Sequence, residues 1–373
     1  MLRDAYPNRP RWQWWAALPL LFLAWHGFGA WRAGWRGLRT AARFGPQLNL
    51  PRSRVWRDLP VLAFWFGANS VGYFQYRLYE RPRREWADFI FPQEHDVWHG
   101  LANASRGTPG RAALADKAGF AEALAARSLA TVPTLRRVPR GATLPEAELF
   151  AGRSLFLKPN SANAMRGCLE LRHDPTSGSY RLLGLDLAGR PCEHGERPAI
   201  VACLAELCSR EAYLLQPLLT NHPDLRALLP VPRLITLRVI TARVAADATL
   251  LYTVLEVPEH DEGTWQFANV NVVTGAIEPS QNPWAKLAKQ PGLLGSALGA
   301  CVPEWPRCRE LVLAAHRLTP DVPMVGWDLA ITPDGPLIIE GNPGWNVLPP
   351  QAVSGVPLLR RLAEVKTPGP AAP

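Results

Sequence analysis

Asp328, Glu340 and Asn342 are the residues whose types and spacing point most directly to chemistry. They lie within residues 324–346, MVGWDLAITPDGPLIIEGNPGWN, which read as a β-hairpin: two apolar runs separated by the turn cluster Thr332, Pro333, Asp334, Gly335. A turn centred on Asp334 pairs Leu329 with Ile339 and Ile331 with Leu337, gathering apolar side chains on one face. The same register sets Asp328 opposite Glu340 on the other face, with Asn342 two residues further on and Gly326 opposite it. A slip of one residue scrambles both faces, so the pattern specifies its own register. Directly opposed carboxylates, with Cβ atoms roughly 4.5–5.5 Å apart, repel each other unless positive charge lies between them. Asp, Glu and an Asn carbonyl are hard oxygen donors, the set that Mg²⁺ takes together with substrate phosphates. The hairpin therefore reads as half of a Mg-nucleotide site; the plainer alternative is a surface hairpin with solvated acids.

The lysines are the second chemical signal. The chain has only five, Lys117, Lys158, Lys286, Lys289 and Lys366, its other strong bases being arginines. Lys158 closes the apolar run LFLK at a strand end, where a compact ammonium suits phosphate oxygens as a point charge. Lys117 opens the helix that precedes that strand. The alternative for each is a lysine that merely solubilises an element's end. His95 and His99, at i and i+4, lack an evident third ligand and read as a solvated helix face. The six cysteines form no C-x-x-C pair and read as free thiols of a reducing compartment.

These residues need elements to hold them. At 373 residues the chain is long enough for two or three subdomains. The spacing predicts strands over 154–158, 168–172, 212–215, 232–244 and 249–257, and helices over 112–129, 199–209 and 310–318. Short strands mixed with helices, without regular βαβ alternation, predict an α+β fold with antiparallel sheets.

The net charge of +9 is concentrated up to Glu85, where arginines and tryptophans cluster. No nucleic-acid-binding motif accompanies them, so an anionic membrane surface is the expected partner and nucleic acid is not. Residues 12–25, WQWWAALPLLFLAW, are too short to span a bilayer and are interrupted by Pro19. They fit an interfacial helix, or one packed on the protein's own core. The stretch 60–76 reads as buried core.

In order along the chain, YFQYRLY at 73–79, ADK at 115–117, LFLKP at 155–159, LLQPL at 214–218, ITLRV at 235–239, GWDLA at 326–330 and IEGNP at 339–343 resemble the ATP-grasp superfamily. Within it they are most similar to the sugar-transfer-associated, α-L-glutamate-ligase-related proteins. The resemblance implies two α+β subdomains clasping ATP. Composition marks off a helical Arg/Trp-rich extension (1–105) and a disordered Pro- and Ala-rich tail (366–373), and between them the resemblance implies a small lysine-bearing part (106–215) and a metal-binding lobe (216–365). The resemblance assigns Lys117 and Lys158 to ATP phosphates and Gln216 (side chain) and Leu218 (backbone) to adenine. Arg238 would face phosphate or acyl phosphate, and Asp328, Glu340 and Asn342 would hold Mg²⁺.

Two departures stand out. The loop after Lys158, PNSANAMRG at 159–167, is not glycine-rich. Gly326 stands where many ATP-grasp ligases carry an arginine, which leaves Arg238, Arg166 and Mg²⁺ to stabilise an acyl phosphate. The implied activity is ATP-dependent joining of a carboxylate to an amine, on small or sugar-linked substrates of cell-surface polysaccharide. The implied location is cytoplasmic, on the inner face of the membrane. Phosphotransfer to a hydroxyl, and a catalytically weak nucleotide-binding scaffold of a polysaccharide assembly, are the alternatives.

Overall fold

The computed structural model describes residues 48–366 apart from 49, 67, 69, 103–106, 161–165, 246, 260–263 and 284–291, together with 29, 31, 32, 35 and 37–39. The stretch 12–25, the tail after Lys366 and most of the loop that follows Lys158 lie outside them.

The fold is α+β, with two six-stranded sheets in which every ladder is antiparallel. The small sheet contains β1 (Arg136–Val138), β2 (Leu155–Pro159), β3 (Leu169–His173), β4 (Tyr180–Leu185), β5 (Pro191–His194) and β6 (Tyr213–Pro217), in the order β1-β6-β2-β3-β4-β5. Alternate residues of β2 and β3, Leu155, Leu157, Leu169 and Leu171, are buried in a core closed by the helix Arg197–Arg210 through Ile200, Leu204 and Leu207. That alternation is what a sheet with one covered face requires.

The large sheet contains β7 (Thr236–Val244), β8 (Asp247–Pro258), β9 (Trp265–Val270), β10 (Ile277–Glu278), β11 (Met324–Thr332) and β12 (Gly335–Asn342), in the order β10-β9-β8-β7-β11-β12. One face, carrying Leu237, Val239, Leu255, Trp327 and Leu329, packs on the helix Trp305–His316 through Cys308 and Val312. The outer edge of β12 is covered, because Ile338 N–H donates to Ala130 O and Val132 N–H donates to Ile338 O. Pairing at Ile338 shortens the ladder that this edge offers to another chain.

The apolar 112–129 pattern folds as two helices, Pro109–Ala115 and Lys117–Ala125, broken where Asp116 leaves helical geometry. Both join the large-sheet core, Phe120 stacking on Trp327 at 6.0 Å, although they precede the small sheet in the chain. The hydrophobic alternation gave no sign of β4, β5, β9 or β10, which are short or half-exposed.

The N-terminal layer is built from the helix Arg52–Trp65 and the aromatic residues that follow it. Tyr73, Phe74 and Tyr76 are buried, as expected of core, but the first part of 60–76 departs from that expectation: Phe64 and Trp65, on the last turn of the helix, are exposed. Gln351 stitches this layer to the rest: its Nε2 donates to Ile90 O, and its Oε1 accepts from the N–H groups of Ile90 and Leu358. His99 corrects the expectation of a solvated helix face. It is buried, with Nε2–H donating to Trp345 O at 2.8 Å, because its helix lays one side against Trp345. Among the described residues no helix is long and apolar enough to cross a membrane.

Candidate active site

The hairpin β11–β12 supplies the acids. Asp328 stands directly opposite Glu340, and Gly326 opposite Asn342, as the sequence pattern requires. Nearer the turn the expected pairs are wrong. The chain reverses through the two residues Pro333 and Asp334, so Leu329 meets Ile338 rather than Ile339, and Ile331 meets Pro336 rather than Leu337. Thr332 Oγ1 donates to Gly335 O across that turn, and Gly335 takes a positive φ of 113°. A β-bulge at Ile339 absorbs the difference, and past it the register agrees again. By strict alternation Glu340 would share the core face with Ile338. The extra residue moves it to the open face beside Asp328.

Gly326 is explained by its neighbour. A Cβ there would stand 2.6 Å from Trp345 Cβ and 3.1 Å from Ile240 Cδ1. Trp345 fills the space that a side chain at 326 would need, so no arginine fits.

Cations balance the acids. On β7, Arg238 faces Asp328 and grips it with two guanidinium nitrogens, one donating to Oδ2 at 3.1 Å and Nε against Oδ1. Glu256 on β8, with no signal in the sequence reading beyond its strand pattern, lies 3.7 Å from Arg238 Nε. Lys117 Nζ meets Glu340 Oε2 at 3.0 Å. Asn342 Nδ2 spans the pair, 3.0 Å from Glu340 Oε1 and 3.4 Å from Asp328 Oδ2. The opposed carboxylates are therefore compensated by Arg238 and Lys117. Their repulsion does not by itself demand a divalent ion.

Lys158 arrives from the small sheet. It is buried, and burial lowers its pKa, opposed by the charge of Glu340 and reinforced by that of Lys117. Burial also works against the Glu340 carboxylate, but Lys117, the Asn342 amide and Lys158 outweigh it and hold the group down to about 2. Asp328 moves the other way: burial raises it, and the guanidinium of Arg238 resists. Cys168, which follows the loop after Lys158, is a further neighbour that the sequence reading passed over. Burial pushes its thiol up to about 11 against the pull of Lys158 and Lys117. Two lysines from different lobes thus converge on one acid.

The remaining expected residues are placed less centrally. Gln216 is buried beside β2, paired across the ladder with Phe156. Leu218 already donates its backbone N–H to Ser154 O at 3.2 Å, which leaves its carbonyl for a ligand. Arg166 is exposed, beside Gly189 of the β4–β5 turn, and is not part of the ion pairs around Asp328 and Glu340.

The donor set fits a hard divalent cation: two carboxylates and an amide on adjacent positions of one sheet face. Asn342 presents Nδ2 rather than Oδ1 to the acids, so ligation through its carbonyl requires the amide to turn over.

The family model for sugar-transfer associated ATP-grasp proteins matches residues 113–367, a span that holds every one of these side chains. The chain belongs to that family. Among solved structures, this ATP-grasp chain is similar to D-alanine–D-alanine ligase from Bacillus anthracis complexed with ATP, at 10% identity and TM-score 0.40, over 69% of this chain and 66% of that one. It therefore spans just under two thirds of that ligase. It is also similar to D-alanyl-alanine synthetase A from Vibrio cholerae O1 biovar eltor, at 11% identity and TM-score 0.40, over 70% and 66% of the two chains. The ATP-grasp ligase PsnB complexed with minimal precursor shares 14% identity at TM-score 0.39, over 77% and 74%. No curated protein matches the chain.

Proposed function

We propose that this ATP-grasp protein is an ATP-dependent carboxylate–amine ligase. The observation that carries the proposal is the convergence of Lys117, from the large lobe, and Lys158, from the small sheet, on Glu340 opposite Asp328. Lysines from two lobes facing paired acids can hold a polyphosphate between them, exchanging internal ion pairs for phosphate contacts. A Mg²⁺ ion held by Asp328, Glu340 and Asn342 would neutralise phosphate charge there. Lys117 and Lys158 bind and orient the phosphate chain, and Gln216 with the Leu218 carbonyl receives the adenine. A substrate carboxylate attacks the terminal phosphorus, ADP leaves, and an amine displaces phosphate from the acyl phosphate to give an amide. Arg238 steadies the charge that develops on the transferred group.

The floor for the other substrates is the open face of the large sheet. From Arg238 the row continues through Val254 to Asn269, which donates to Glu278 Oε2 at 2.6 Å. Glu256 and Glu278 suit an incoming ammonium. The decisive experiment measures ADP release against panels of amino acids, amino sugars and uronic acids, with mass analysis of the product. An amide product supports ligation. A phosphorylated hydroxyl would assign phosphotransfer, and tight ATP binding with no turnover on any pair would assign a scaffold.

The second part of the proposal is attachment to an anionic membrane surface. On the helix Arg52–Trp65, Trp56 is 62% and Trp65 84% exposed, and Phe64 is exposed too. Beside it a cavity of about 340 Å³ is lined by Arg54, Arg57, Arg81 and Arg83, with Asp58 and Trp86. Exposed aromatics next to a cationic pocket suit lipid phosphates. Co-sedimentation with anionic vesicles should be salt-sensitive and fall in a Trp56→Ala, Trp65→Ala variant; unchanged partitioning would discard the membrane reading.

A further inference from the structure

At the far edge of the small sheet, Cys192, His194 and Cys203 place one sulfur or nitrogen atom each within 4.8 Å of one another. We propose that these three side chains form a binding site for a borderline-soft d¹⁰ metal ion of the zinc class, separate from the nucleotide site. Cys192 and His194 are two apart on β5, so both project from the same side of the strand. Cys203 lies on the helix Arg197–Arg210, on the stripe that carries Ile200, Leu204 and Leu207 toward the sheet. The two sulfurs are 3.1 Å apart.

Zinc binds thiolate at about 2.3 Å and imidazole at about 2.0–2.1 Å, so a tetrahedral ion needs donors roughly 3.5–3.8 Å apart. Small side-chain rotations bring the three atoms to that spacing. A disulfide between the cysteines would account for two of the three groups, would give His194 no part, and would need an oxidant. A metal uses all three donors. On binding, each thiol gives up a proton and the ion enters, so two thiolates, a neutral imidazole and a divalent cation sum to no net charge, which suits a half-buried site. With His194 and Cys203 half-buried, water can complete the coordination.

The site's role follows from where it sits. β5 is a four-residue edge strand paired on one side only. It lies three strands from β2, or roughly 14 Å from the strand of Lys158 at ordinary inter-strand spacing. A metal there takes no part in phosphate chemistry. It ties the free edge strand to its covering helix and so stiffens the sheet that presents Lys158.

The test uses the full chain purified under reducing conditions, with zinc and cobalt as probes. Elemental analysis and chelator competition should give one zinc per chain, and Co²⁺ should produce thiolate-to-metal charge-transfer absorption. Cys192→Ser and Cys203→Ser should each abolish that band. His194→Ala should weaken binding at least as much as the roughly 10–100-fold typical of losing a supporting contact. Cys301→Ser, at an exposed cysteine outside the cluster, should change nothing. Far-UV circular dichroism checks that each variant is folded. If the serine variants unfold, the wild-type stoichiometry and cobalt spectrum still decide. No stoichiometric zinc, a cobalt spectrum without the sulfur band, or full binding in both folded serine variants would overturn the proposal.

Discussion

Lys158 is a cation kept almost dry, and the energetics of that position separate its value for binding from its cost to folding. Burial lowers its pKa, and Lys117 adds like-charge repulsion. Lys158→Met keeps the aliphatic volume and removes the charge, so the melting temperature should hold or rise slightly. ATP affinity should fall about 10–100-fold, the worth of one charge-assisted hydrogen bond of roughly 1.5–3 kcal/mol. Calorimetric titration alongside a thermal melt distinguishes this from a structural lysine, whose loss would lower stability and leave affinity alone. The opposed acids behave in the opposite sense. Repulsion alone suggests that neutralising Asp328 and Glu340 relieves the fold, but Arg238 and Lys117 are already paired to them. Asp328→Asn with Glu340→Gln should abolish ADP release and also cost on the order of 3 kcal/mol, because two poorly solvated cations lose their anions. A more stable double variant would show that repulsion between the two acids outweighs their pairing with Arg238 and Lys117.

At the scale of elements, the site was legible where hydrophobic alternation and chemistry coincide. Asp328 opposite Glu340 followed from the pattern of 324–346, and so did Asn342 opposite Gly326. The turn-proximal pairs were not legible, since a two-residue turn plus a bulge at Ile339 leaves the same apolar composition as a longer turn without one. Partners from distant segments were invisible for a simpler reason. Glu256 and Cys168 acquire meaning only when strands and lobes come together, which no local spacing encodes. Gly326 is the instructive case. As sequence it is a missing arginine, and as structure it is the space that Trp345 requires. Gly326→Ala should therefore destabilise by about 1–3 kcal/mol, the usual cost of overpacking. It should also weaken ATP binding by shifting the strand pair that carries Asp328 and Asn342. Denaturant midpoints measure the first effect and nucleotide titration the second; wild-type values in both would mean that Trp345 moves aside freely.

The whole molecule couples its N-terminal layer to the site through the same tryptophan. His99 Nε2–H donates to Trp345 O, Trp345 packs against Gly326, and β11 carries Asp328 two residues further on. Burial holds the His99 pKa down to about 4 from 6.5, with the Trp345 carbonyl opposing it and His95 and Arg111 adding repulsion. Its Nδ1 is buried without a hydrogen-bond partner among the described residues, so a second proton there would find no acceptor. The sign follows from linkage. Between about pH 6.5 and pH 4 the unfolded chain binds a proton that the folded chain refuses. The stabilisation is thus complete above about 6.5 and is lost as the pH falls toward 4, amounting to on the order of 3 kcal/mol. His316, also depressed by burial, adds to the slope in the same direction. His99→Gln retains a donor for the Trp345 carbonyl and cannot titrate, so urea midpoints measured from pH 7 to pH 4.5 should fall less steeply than in the wild type. Identical slopes would mean that His99 already reaches solvent and that the layer is not clamped through Trp345.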